Sequence, residues 1–178
     1  MFVLITGGAA SGKSALAEKL AAAQGGRLWY FATMKAEDPE SRKRVEKHRK
    51  MRAGKGFTTV ECPLFVPEGR YGTVLLECVS NLAANVMFDR GLDAENTVRA
   101  VSAELEKLRL SSDFLIAVTN EVFSDGVDYD PMTKEYIRAL GGINRAAAKK
   151  ADAVAESVCG LPVILKGGEA LKKYEAFL

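Results

Sequence analysis

Short apolar runs alternate along this chain with stretches whose apolar residues fall at helical spacing. "FVLIT" (2–6) and "FLIAVTN" (114–120) are nearly uniform apolar runs of strand length, the form expected of strands covered on both faces. "RLWYFAT" (27–33), "FTTVE" (57–61), "TVLLEC" (73–78), "AVAESV" (153–158) and "PVILK" (162–166) read as further strands. "KSALAEKLAAAQ" (13–24) is built of strong helix formers and is stopped by two glycines. Asp38 followed by Pro39 marks a helix start, since an aspartate caps free backbone N–H groups and proline tolerates the first turn. That helix is expected over 39–51, with others near 80–90, 95–110 and 132–151 and a short one closing the chain. Apolar strands alternating with helices predict an α/β fold: a mostly parallel sheet with helices on both faces. Ligands in such folds sit at the carboxyl ends of the strands, which directs attention to the residues after Thr6, Thr33, Glu61, Glu77 and Asn120.

The 178 residues suffice for one compact core, and no repeat or Pro/Gly-rich linker divides them, so one domain over 1–178 is expected. A net charge of +2 argues against general nucleic-acid binding. Cys62, Cys78 and Cys159 form no CxxC pair and leave an odd count, which predicts reduced, buried thiols and a cytoplasmic location. No apolar run reaches the 18 or so residues of a membrane span. The apolar start lacks a basic leader and reads as a first strand instead of a signal peptide.

Chemistry enters directly after that strand. "GGAASGKS", comprising Gly7, Gly8, Ala9, Ala10, Ser11, Gly12, Lys13 and Ser14, fits G-x-x-x-x-G-K-[ST] between a strand and a helix. Glycines let backbone N–H groups curl around phosphate oxygens, and the following helix N-terminus adds positive potential. Lys13 can bridge the β- and γ-phosphates of a nucleotide, and Ser14 can ligate Mg²⁺. The fold is therefore expected to be P-loop NTPase-like, binding a nucleoside triphosphate. Glu77, closing the "TVLLE" strand, stands where a second Mg²⁺-coordinating acid belongs, although a carboxylate merely facing water is the plainer reading. No N-K-x-D guanine reader is present.

The one histidine, His48, lies in the most basic stretch: eight Lys or Arg and a single acid, Glu46, between Arg42 and Lys55. On a helix, Arg44, His48 and Arg52 share one side, and that side has too little apolar content to be a core stripe. A neutral imidazole is a nucleophile, and cations around it can hold the phosphate it attacks. Composition alone also allows a solvated basic helix with an incidental histidine. A nucleic-acid patch fits less well, because no aromatic residues interleave the run.

"LITGGAASGKSALAE", "FAT" after the second strand, "R-x-x-x-H-R-x-x-R" at 44–52, "TVE" at 59–61, "LLEC" at 75–78, "VTNEV" at 118–122 and "G-x-x-N" at 141–144 occur in one order over most of the chain. In these pieces the chain resembles the bifunctional adenosylcobinamide kinase / adenosylcobinamide-phosphate guanylyltransferases of cobalamin biosynthesis. The resemblance implies two reactions. ATP or GTP phosphorylates adenosylcobinamide; a histidine then attacks the α-phosphate of GTP, and the GMP-histidine intermediate passes GMP to adenosylcobinamide phosphate. Carried onto this sequence, His48 is the nucleophile and Lys13 acts in the phosphate loop. Phe31, Ala32 and Thr33 line the nucleotide cleft, and Arg49, Lys50, Met51 and Arg52 follow the nucleophile and hold phosphate. Glu61 and Glu77 contact nucleotide, and either could accept from guanine N1–H and N2–H₂. The resemblance further implies Mg²⁺ held by Ser14 and Glu77, corrinoid and nucleotide substrates, and a homo-oligomer, a trimer in the family. "AGKGF" after Arg52, Phe123 after "NEV" and "YIR" at 136–138 depart from the family pattern. A P-loop kinase of another small molecule, without guanylyl transfer, is the alternative, and a non-catalytic nucleotide sensor is a third possibility.

Overall fold

The computed structural model describes residues 1–122 and 126–177, and for Lys47, Met51 and Phe177 the backbone alone. Phe123 lies outside the described residues. Seven strands form one sheet: β1 (Phe2–Thr6), β2 (Leu28–Ala32), β3 (Phe57–Glu61), β4 (Tyr71–Glu77), β5 (Ser112–Val118), β6 (Ala153–Val158) and β7 (Leu161–Lys166). Their order is β3-β2-β4-β5-β1-β6-β7. β1 to β6 run parallel, and β7 returns antiparallel along the edge of β6. The α/β class and the parallel sheet agree with the pattern of apolar runs.

The helices are α1 (Lys13–Gln24), α2 (Pro39–Arg52), α3 (Val79–Arg90), α4 (Ala94–Ser111), α5 (Pro131–Lys150) and α6 (Gly168–Leu171), followed by a 3₁₀ turn over Lys172–Phe177. Side chains alternate across the strands, so the inner strands feed two cores. Phe2, Leu4, Phe31, Val74, Leu76, Leu115 and Ala117 pack with α3, α4 and α5 on one face. Val3, Ile5, Tyr30, Leu75, Ile116 and Val118 pack on the other face with Leu16, Leu20 and Ala21 of α1 and with Leu171 and Tyr174 near the chain end. Among the described side chains, α2 contributes none to either cluster.

Local chemistry sets the helix ends. The Asp38 carboxylate accepts from the Glu40 and Ser41 N–H groups (2.8 and 2.9 Å), and Ser41 Oγ accepts from the Asp38 N–H (3.1 Å), closing a capping box ahead of α2. Asp130 caps α5 in the same way through Met132 and Thr133, with Pro131 in the first turn, so that helix begins one residue before the expected position. β5 ends at Val118 instead of Asn120, because Thr119 and Asn120 turn their side chains into polar contacts beyond the strand. Cys62 and Cys78 are buried free thiols as expected. Cys159 is a correction: it sits exposed with φ 51° in the turn between β6 and β7, outside any core. Among the described residues no helix is long and apolar enough to cross a membrane.

α4 and α5 are tied by charge as well as by packing. Glu106 accepts from Arg109 (2.7 Å) and from Lys150 of α5 (3.0 Å), and these hydrogen bonds hold its carboxyl down to about 2. A carboxylate depressed in the folded state contributes stability above its unfolded pKa of about 4.3, and loses that contribution as pH falls through the folded value. Glu106→Gln should therefore lower stability at neutral pH, with the gap to wild type closing between about pH 4 and pH 2 in urea unfolding at stepped pH.

Candidate active site

The loop between β1 and α1 is shaped for close approach of backbone to an anion. Gly7 has φ 147°, and a Cβ there would stand 2.6 Å from Ser157 O. Gly12 has φ 98° and opens α1 with no side-chain cap and no acid in the first turn. The first N–H groups of α1 thus keep their capacity to meet a phosphate. The loop is braced from β6, where Ser157 Oγ donates to Ser11 O (2.7 Å) and Gly160 N to the same oxygen (2.8 Å). Gly8 O accepts from Lys13 Nζ (2.6 Å), and Ala9 and Ala10 are exposed at the rim, Ala10 with φ 57°. Lys13 is 8 % exposed, and burial lowers the pKa of its ammonium against the opposing charges of Cys78 and Glu77. Ser11 Oγ is buried without a hydrogen-bond partner, facing the loop interior.

Register places the acids. Glu61, Ala32 and Glu77 are paired neighbours across β3, β2 and β4, so all three share one face of the sheet. On β4 that face also carries Thr73 and Leu75, which directs Glu77 toward α1. Glu77 is 9 % exposed; its Oε1 accepts from Ser14 Oγ and its Oε2 from Tyr30 Oη (3.1 Å). The same Oε1 lies 3.6 Å from His48 Nδ1, which is buried and has no hydrogen-bond partner. The candidate nucleophile and the candidate metal-binding pair are thereby brought to one carboxylate, although His48 lies 24 residues beyond Gln24, the end of α1. Burial, the charge of Glu77 and the hydrogen bond to it push the Tyr30 phenol up.

The basic helix differs from the expectation of a ring surrounded by cations. Arg44 points outward to Glu40 (2.5 Å), Lys50 to Glu46 (2.8 Å) and Arg49 to Glu61 (3.3 Å). The charged group facing the His48 ring is a carboxylate. Among the described cations of α2, Arg52 turns inward: it is 7 % exposed, its guanidinium centre lies 3.3 Å over the Tyr30 ring, and its Nε and Nη1 have no hydrogen-bond partner. A buried guanidinium with free donors beside a phosphate loop is suited to an anion. The Met51 side chain lies outside the described part.

After β2 the outcome is mixed. Phe31 does not line a cleft. It is fully buried in the opposite core and meets Tyr71 edge-on at 5.0 Å, because alternation along β2 turns Trp29 and Phe31 away from Tyr30 and Ala32. Thr33 is also fully buried and ties two strand ends together, its Oγ1 donating to Cys78 O (2.8 Å) and accepting from Cys78 N (2.7 Å). Ala32, by contrast, is a small residue between Glu61 and Glu77 on the α1 face and leaves room there.

Several residues at the site carry no sequence signal of their own. Tyr30 donates to Glu77. Glu18 and Lys55 form a 2.6 Å ion pair beneath the site. The "VTNEV" and "G-x-x-N" pieces meet in one network: Thr119 Oγ1 donates to Asn144 Oδ1 (2.7 Å), Asn144 Nδ2 to Asn120 O (3.2 Å) and Asn120 Nδ2 to Ser80 Oγ (2.7 Å). Glu121 N donates to Gly7 O (3.0 Å), which joins this network to the phosphate loop. Their spacing in the motifs could have pointed to these residues; Tyr30 reads as one more strand aromatic. Among the described residues no cluster of three or more His, Cys, Asp or Glu could hold a metal by itself. One hydroxyl and one carboxylate together, as at Ser14 and Glu77, do fit Mg²⁺ that is shared with nucleotide phosphates.

Comparison with known proteins identifies the fold and the family. The chain resembles the structure of a prototypical ATPase from the type III secretion system of pathogenic bacteria at TM-score 0.58 and 15 % identity, over 92 % of this chain and 56 % of that one, a likeness of fold alone. The bifunctional adenosylcobalamin biosynthesis protein CobP of Pseudomonas aeruginosa is 35 % identical over 173 residues, covering 92 % of this chain and 96 % of that protein. The CobU protein of the same description from Escherichia coli is 31 % identical over 183 residues, covering 93 % and 100 %. A family model described as cobinamide kinase / cobinamide phosphate guanyltransferase matches residues 3–165, from the first residues of β1 nearly to the end of β7. With the phosphate loop, the inward histidine and the strand-end acids all inside that span, the chain belongs to the cobinamide kinase / cobinamide phosphate guanyltransferase family.

Proposed function

We propose that this enzyme carries out both reactions of its family at the carboxyl end of the sheet, with His48 as the covalent carrier of GMP. The observation that supports it is the convergence of Ser14, His48 and Tyr30 on Glu77 beside the phosphate loop. In the first reaction the hydroxyl of adenosylcobinamide attacks the γ-phosphate of ATP or GTP, the bond from the γ-phosphorus to the β–γ bridging oxygen breaks, ADP or GDP leaves, and the hydroxyl proton is released. The phosphate loop cradles the triphosphate through backbone N–H groups, and Lys13 follows the charge that develops on the transferred group. In the second, His48 attacks the α-phosphate of GTP. An N–P bond forms, the P–O bond to the β-phosphate breaks, and pyrophosphate leaves. The phosphate of adenosylcobinamide phosphate then attacks the same phosphorus and releases His48, giving adenosylcobinamide-GDP.

Glu77 has two tasks in this scheme. With Nδ1 of His48 turned toward it, a proton on Nδ1 faces the carboxylate and the Nε2 lone pair is the one that attacks. With Ser14 it also holds Mg²⁺, which when bound neutralises phosphate charge. Arg52, buried with two free donor nitrogens, holds phosphate, and Gly8 to Gly12 wrap it. Glu61 is the guanine reader: it is half exposed and, among the described residues, paired with an exposed arginine, whereas Glu77 is committed to the phosphate end.

The cytoplasm suits reduced thiols and GTP. A homo-oligomer, a trimer by family resemblance, is supported by β7, an edge strand that exposes Leu161, Val163, Ile164 and Leu165.

His48→Ala should reduce GMP transfer from GTP at least about 10³-fold while kinase turnover stays within about threefold of wild type. Equal loss of both activities, or none, overturns the covalent role, and kinase turnover without any GMP transfer in the wild type would leave a plain P-loop kinase. Glu61→Ala should reduce the preference for GTP over ATP in guanylyl transfer by roughly 10- to 100-fold in kcat/KM, the worth of a lost two-donor contact.

A further inference from the structure

α2 carries the only histidine, and among its described side chains none belongs to the apolar clusters of the core. Its attachments are polar: His48 beside Glu77, Arg49 to Glu61, Arg52 over Tyr30 and, just past its end, Lys55 to Glu18. The first three involve groups that nucleotide would also engage. The fourth does not. Glu18 lies one helical turn after Ser14 on α1 and shares its side of that helix. It is 1 % exposed, its Oε2 accepts from Lys55 Nζ at 2.6 Å, and its Oε1 has no hydrogen-bond partner. Lys55 stands in a turn flanked by Gly54 (φ 76°) and Gly56 (φ 77°), and its N–H donates to Arg52 O (3.0 Å), so the turn continues the geometry of α2.

An apolar residue of Glu18's size would fill that place on α1 at no desolvation cost, so a buried carboxylate paired with a half-exposed lysine is poorly explained by stability. A fixed registration between two helices explains it better. Ser14 and Glu18 are successive rungs on α1, and His48, Arg52 and Lys55 descend the facing end of α2. We propose that Glu18 and Lys55 are positioning residues that set the end of α2 against α1 and so fix the His48 ring at Glu77. The catalytic consequence rests on the reading of His48 as nucleophile; the positioning itself does not.

Because the chain has one histidine, its ring C–H signals in a proton NMR spectrum report that single site. Lys55→Met should shift the His48 signal toward its position in Glu77→Gln and slow formation of the GMP adduct roughly 10- to 100-fold, with kinase turnover kept. Lys55→Arg should restore both readouts. Glu18→Gln, which strands no buried charge, should reproduce Lys55→Met and serves if that variant fails to fold. A His48 signal identical to wild type in folded Lys55→Met or Glu18→Gln overturns the proposal, as does a parallel loss of kinase and guanylyl rates, the mark of general structural damage. If the wild type forms no adduct, the nucleophile reading fails, and the His48 signal alone decides the positioning role.

Discussion

The Glu77 carboxylate organises the site because it is charged, nearly buried and approached from three directions. Burying a carboxylate is costly unless donors meet it, and here they come from α1 through Ser14 and from β2 through Tyr30, with the His48 ring of α2 alongside. Register makes this possible: β2 and β4 pair so that Ala32 lies beside Glu77, and the small side chain leaves the α1 face open at that point. Move the pairing by one residue and Glu77 would turn to the opposite face of the sheet, into the apolar core that holds Phe31.

Around that carboxylate the protein combines a rigid half and a polar half. The phosphate loop is fixed by β1, by the brace from Ser157 and by a glycine geometry that excludes any side chain at Gly7. α2 is held instead by ions and by one cation resting on an aromatic ring. On the proposed mechanism one anion-binding centre would serve two chemistries: transfer of a terminal phosphate would use the rigid half alone, whereas a covalent histidine step would draw on both. The arginine that faces inward, Arg52, belongs to both halves, since it stacks on the tyrosine that donates to Glu77.

Much of this was legible in the sequence because the signals were local. The glycines, Lys13 and Ser14 follow an apolar strand and open a helix, and Asp38–Pro39 marks the start of α2; both readings need only neighbouring residues. Phe31 was misplaced because alternation says that Phe31 and Ala32 face opposite ways without saying which side holds the nucleotide cleft. The environment of His48 was misjudged for a similar reason. The cations are its neighbours in sequence, but the carboxylate that faces it arrives from a strand 29 residues away. Glu18, set among helix formers, looks like any solvated glutamate; only the packing of α1 against the sheet buries it.

The central claim is a covalent bond between His48 and GMP. Its most direct test is the intact mass of the purified protein after incubation with GTP and Mg²⁺, followed by peptide mapping, with ATP as control. The account predicts one GMP per chain, labile in acid, formed from GTP and mapped to His48. Folded protein that binds GTP and remains unmodified, or that carries the label on another residue, would contradict it.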